Sequence, residues 1–83
     1  MREQQIQTKR IKQLEAEGYY VIKLIKTNKN GIPDLVALSP DGDILFVEVK
    51  RPTGKLSELQ KYRLKELNSL GFKTEVYYGD EVQ

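Results

Sequence analysis

Hydrophobic and polar positions alternate along the chain with two different periods. From Arg2 to Glu17 there is neither Gly nor Pro, and the apolar residues recur at helical spacing until Gly18. At about 100° per residue, Glu3, Ile6, Gln7, Arg10, Ile11 and Leu14 share one broad face, so the segment predicts a helix stopped by a glycine cap. "YYVIKLIK" (Tyr19 to Lys26) is rich in β-branched and aromatic residues and predicts a strand. After the loop "TNKNGIP", the runs "DLVALS" and "ILFVEVKR" flank "SPDGD", whose Pro and Asp-Gly are turn residues. They predict an antiparallel hairpin. "PTGK" breaks the second run, and "SELQKYRLKELNSLG" predicts another helix, with Ser57 and Gln60 spaced as a capping box and Gly71 past its end. "FKTEVYY" is a last strand, expected to lie parallel to an earlier one after a right-handed helical crossover. The order is αβββαβ: an α/β fold with a short mixed sheet flanked by two helices.

Three residues break this pattern. Side chains alternate along a strand, so Glu48 and Lys50 point to one face with Ile44 and Phe46, while Leu45, Val47 and Val49 take the other. Both faces are apolar, which makes the strand central and its two charges partly buried. Asp34 opens the preceding strand. A turn at residues 40–43 carries the start of that strand back beside Glu48 and Lys50. An unpaired charge there would cost several kcal/mol, so the group must be paired or bind a metal. Gly31 and Pro33 set the backbone just ahead of Asp34, through positive φ or close approach and through a fixed φ.

Length and composition narrow the chemistry. The 83 residues make one domain, 1–83, with a thin core. No apolar run approaches a membrane span and no signal-peptide pattern opens the chain, so an intracellular, cytoplasmic location is expected. There is no cysteine and no histidine. Thiolate and imidazole chemistry is excluded, leaving carboxylates, Lys, Tyr, Ser/Thr or a hard cation on oxygen ligands. Net charge is only +2, yet basic residues cluster at positions 9–12, 23–29, 50–55 and 61–65. Four acids, Asp41, Asp43, Asp80 and Glu81, lie instead in the turn and near the last residue. Such clusters serve equally as solvated faces or as phosphate contacts.

Asp34 followed by Glu48-Val49-Lys50, with Pro33 before the aspartate, resembles the PD-(D/E)xK nuclease signature, and αβββαβ is that superfamily's core. Within it, "GIPDLVAL", "FVEVKRP" and the Ser-x-x-Gln helix resemble the virus-type replication-repair nuclease (VRR-NUC) domain, found alone in phages and in the Fanconi-associated nuclease. The resemblance implies the following roles. Asp34 and Glu48 bind Mg²⁺ or Mn²⁺ with the Val49 carbonyl, and Lys50 orients the attacking water and stabilises charge on the phosphate. Glu3 is the helical glutamate completing the metal site, and Gln60 is the glutamine facing it. A host-cell cytoplasmic location follows if the chain is phage-encoded.

Several alternatives stand beside these roles. Asp34, Glu48 and Lys50 could form a structural salt-bridge cluster in a non-catalytic DNA-binding or scaffold module. Gln60 has a sufficient role as a capping-box residue. Tyr19, Tyr20, Tyr62, Tyr77 and Tyr78 could stack on bases, but serve as well in a core. Lys29, Asn30, Arg51, Lys55 and Lys61 flank the site in sequence and are expected to meet phosphates without reading bases. The expected activity is metal-dependent, structure-selective cleavage of branched DNA by a homodimer, similar to small Holliday-junction resolvases. A flap or 5′-end nuclease is the alternative. No membrane and no small-molecule cofactor are expected.

Overall fold

The computed structural model describes residues 2–79, so the acids Asp80 and Glu81 lie outside the described residues. Its elements run α1 (Glu3–Ala16), β1 (Tyr20–Lys23), β2 (Leu35–Leu38), β3 (Ile44–Lys50), α2 (Glu58–Ser69) and β4 (Lys73–Tyr78). The strands form one sheet in the order β1-β2-β3-β4. The first two pairings are antiparallel, and β4 lies parallel to β3. This is the α/β order expected from the sequence.

The turn is closed by its own residues. Ser39 N–H donates to the Asp43 carbonyl at 2.9 Å, and Gly42 N–H donates to the Ser39 carbonyl at 3.0 Å. The Ser39 hydroxyl accepts from the Asp41 and Asp43 amides, both at 3.1 Å. That turn fixes the register Leu38↔Ile44 through Leu35↔Val47, which brings Asp34 opposite Glu48.

The core lies between α1 and one face of the sheet. Ile6 and Leu14 pack with Leu35, Ala37, Val47 and Val49, all buried. On the other face α2 packs against β4, burying Leu64 and Leu67, while Phe46 meets Phe72 edge-on with ring centroids 5.9 Å apart. Arg10 ties α1 to β4: its guanidinium donates to both Glu75 oxygens at 2.9 and 3.0 Å and stands 4.8 Å from the Tyr77 ring centroid.

Two strands are shorter than the composition predicts. β1 stops at Lys23 and not at Lys26, and β2 begins at Leu35. Pro33 has no N–H to give, and Gly31 turns the chain at φ +78°, so no partner strand continues beyond Asp34. One further bond, Leu24 N–H to the Asp34 carbonyl at 2.8 Å, ends the ladder. Among the described residues, no helix is long and apolar enough to cross a membrane.

Candidate active site

The site forms at the open end of the hairpin, where β2 begins and β3 ends. Asp34 is fixed first: its Oδ2 accepts the Val49 backbone N–H at 2.8 Å. The aspartate thereby occupies a backbone donor that the short β2 leaves without a strand partner. Glu48, next to Val49 on β3, is 2% exposed. Its Oε2 accepts from Gln60 Nε2 at 3.2 Å and lies 3.9 Å from Lys50 Nζ, a loose ion pair. Its Oε1 is buried with no hydrogen-bond partner.

Gln60 completes the cap of α2 and also reaches Glu48. Its Oε1 accepts the Ser57 N–H at 2.9 Å and its own N–H donates to the Ser57 hydroxyl at 3.1 Å, so the capping box is complete. Because the box holds the oxygen, the amide nitrogen is the end left to face Glu48. Helix capping and carboxylate positioning are thus one arrangement.

The electrostatics follow from burial. The Glu48 carboxyl is pushed up from 4.5 to about 8, first by desolvation, then by the charge of the neighbouring Asp34 carboxylate and by a hydrogen bond that the protonated form can share with it; Lys50 lowers it and Glu3 adds to the rise. No donor among the described residues reaches the buried Oε1, so a proton shared with Asp34 or a cation must stabilise that position.

Glu3 differs from the expectation that it lies on the core-facing side. It is the first residue of α1 and is exposed; the buried part of the helix begins one turn later at Ile6. Its charge still acts on Glu48. Among the described residues, no three acidic groups stand together as a ready metal cage. The two carboxylates, Lys50 and Gln60 are what the fold brings together.

A groove of about 420 Å³ leads to this end of the sheet, lined by Leu24 to Thr27, Lys29 to Ile32, Asp34 and Gln60. Lys29 and Asn30 line this groove together with Asp34 and Gln60. Arg51, Lys55 and Lys61 are exposed and line none of it, and Lys61 pairs with Glu58 at 3.2 Å. The groove loop is pinned to α2 in two ways. Arg63 Nε donates to the Asn30 carbonyl at 2.8 Å, and Gly31 lies so close to Leu59 that an added Cβ would sit 2.6 Å from its Cγ. The sequence gives no signal for Arg63, because its partner is a backbone carbonyl 33 residues away.

The same end of the sheet is closed from the other side by Gly79. Its N–H donates to the Lys50 carbonyl at 3.0 Å, and Ile6 fills the space a Cβ would need, 2.6 Å away.

The model of the VRR-NUC domain matches residues 2–81. The chain belongs to the VRR-NUC family. A solved structure described as a VRR-NUC domain is similar to it, with 32% identity over 94% of this chain and 84% of that one and a TM-score of 0.82. No curated protein matches the chain. VRR-NUC membership implies a nuclease-type fold acting on DNA, in a family that generally uses divalent metals. The α1–β4 order found here is that of a nuclease core.

Proposed function

We propose that the protein is a Mg²⁺- or Mn²⁺-dependent, structure-selective DNA endonuclease that works as a homodimer on four-way junctions. The observation that carries this is Glu48: a buried carboxyl with one orphaned oxygen, beside Asp34 and Lys50, at the end of a lysine-bearing groove. A salt-bridge cluster would close on itself, whereas this one holds its ion pair at 3.9 Å and leaves an oxygen unused.

The donor set fits a hard cation. Asp34, Glu48 and the Val49 carbonyl offer only oxygen, and the orphaned Oε1 of Glu48 is available to a ligand. Glu3 supplies further negative charge from α1. When bound, the ion would lower the pKa of a water and polarise a phosphoryl oxygen. The chain's own residues do the rest. The Val49 N–H holds Asp34 in place, and Gln60 fixes the orientation of Glu48. Lys50 places a positive charge where negative charge develops on the phosphate. Lys26, Lys29 and Asn30 along the groove meet the phosphodiester backbone without reading bases.

Two-fold symmetry suits the substrate, since it sets two equivalent sites against the two strands a junction resolvase must cut. The test is a labelled four-way junction incubated with Mg²⁺, Mn²⁺ or EDTA, beside a 5′-flap of the same sequence. Paired nicks near the branch, lost in EDTA, are expected. Cleavage that persists in EDTA rejects the mechanism, and cleavage confined to the flap replaces the junction with the flap as substrate. Light scattering should give about twice the 9.6 kDa chain mass; a monomer alone rejects the dimer.

A further inference from the structure

The groove carries one side chain that phosphate binding does not explain. Ile25 is 84% exposed, the most exposed of the large hydrophobic residues described. Tyr20, Leu70 and Tyr62 are also exposed but line no part of the groove. Ile25 lines it together with Lys26, Lys29, Asp34 and Gln60. It lies just past the last rung of the β1 ladder, Leu24 N–H to the Asp34 carbonyl, so its backbone is held at the level of the site. The loop that follows is braced on α2 through Arg63 and Leu59. A stiff, β-branched apolar group is thus presented ahead of a braced loop, in a groove that also carries Lys26, Lys29 and the carboxylate of Asp34. The flanking lysines select a polyanion as the occupant. Within a polyanion such as DNA, the apolar surface that an isoleucine can enter is the face of an unstacked base.

We propose that Ile25 is an apolar wedge that enters the branch point of a bound DNA and holds its bases apart beside Asp34 and Gln60. The proposal deepens the nuclease reading above and rests on it for the substrate class. It makes Ile25 a specificity-determining residue: the lysines hold any DNA, and Ile25 favours DNA that is already open, where little stacking must be broken. A β-branched side chain loses little rotamer freedom on insertion.

The test uses the full chain and a junction carrying 2-aminopurine at the branch, whose fluorescence rises when the base unstacks. Binding is read in a Lys50→Ala background so that cleavage does not intervene. Fluorescence should rise on binding, fail to rise with Ile25→Ala, and rise again with Ile25→Leu. Affinity for linear duplex of the same length should stay within about twofold, since the phosphate contacts remain. With Lys50 restored, Ile25→Ala should lower kcat/KM on the junction by roughly tenfold or more. An unchanged fluorescence rise in Ile25→Ala, or none with Ile25 present, overturns the wedge. A fall in molecular mass on Ile25→Ala overturns it in favour of an interface between copies. Should the protein cut no DNA at all, the nuclease reading fails, and the fluorescence arm still decides the wedge by itself.

Discussion

The two ends of the β2–β3 hairpin are both rich in acid and behave in opposite ways. At the turn, Asp41 and Asp43 are exposed, and the turn is held by Ser39 and backbone groups, not by their carboxylates. At the open end, Asp34 is half-buried and Glu48 fully enclosed, and these surroundings raise the Glu48 carboxyl to about 8. Charge in a solvated turn asks nothing of the fold. Charge on a central strand keeps two acids together against their repulsion, and a sequence that retains them forgoes the stability that Val or Ile would add.

The largest contrast should be in cleavage. Lys50→Ala and Glu48→Ala are expected to reduce junction cleavage by at least about a thousandfold while far-UV circular dichroism still reports a folded chain. Normal cleavage by either variant would make the cluster structural.

The second contrast is in the pH dependence of stability without metal. The folded Glu48 carboxyl titrates near 8 and the unfolded one near 4.5. Below the lower value both states hold the proton and there is no penalty. Between the two values the unfolded chain ionises while the folded chain keeps its proton, so stability falls as pH rises. Metal-free protein should therefore be less stable at pH 8.5 than at pH 5, by an amount on the order of a few kcal/mol in urea unfolding. Glu48→Gln should flatten this slope, and Mg²⁺, which binds the ionised form, should restore stability at the alkaline end. A slope of the opposite sign would mean that Glu48 is held ionised by its neighbours.

A smaller effect is expected at the support. Gly31→Ala places a Cβ against Leu59 at a residue with φ +78°. It should lower stability by about 1–3 kcal/mol and weaken DNA binding by moving Lys29 and Asn30. The smallest is at the turn: Asp41→Asn and Asp43→Asn should each change stability by less than about 0.5 kcal/mol and leave cleavage untouched. If the turn substitutions matter as much as those at the open end, the contrast between the two ends is wrong.

Much of the open end could be read from alternation and register alone. Glu48 and Lys50 share a face because strands repeat every two residues, and Asp34 returns to them because the turn chemistry at Pro40–Gly42 fixes the hairpin. What escaped the sequence depended on contacts between distant segments. β1 reads as an eight-residue strand from its composition, but a strand lasts only as long as its partner, and Pro33 ends the partner. Glu3 lies on the same helical stripe as Ile6, yet periodicity gives a direction and not a depth, and the first turn of α1 stands clear of the core. The cap alone accounts for Gln60 in the sequence; only the geometry shows that capping with one end of the amide presents the other to Glu48.

The contact between Ile6 and Gly79 has a consequence for biosynthesis. Ile6 leaves the ribosome early and can pack on the hairpin core, but its contact with Gly79 forms only once Gly79 has emerged beside Lys50. The nascent chain can pair its hairpin and lay α1 on it, yet the packing of α1 over that end of the sheet is completed only when translation has passed β4. The cover over this end of the sheet, where Asp34, Glu48 and Lys50 meet, is thus complete only once the last strand has been made.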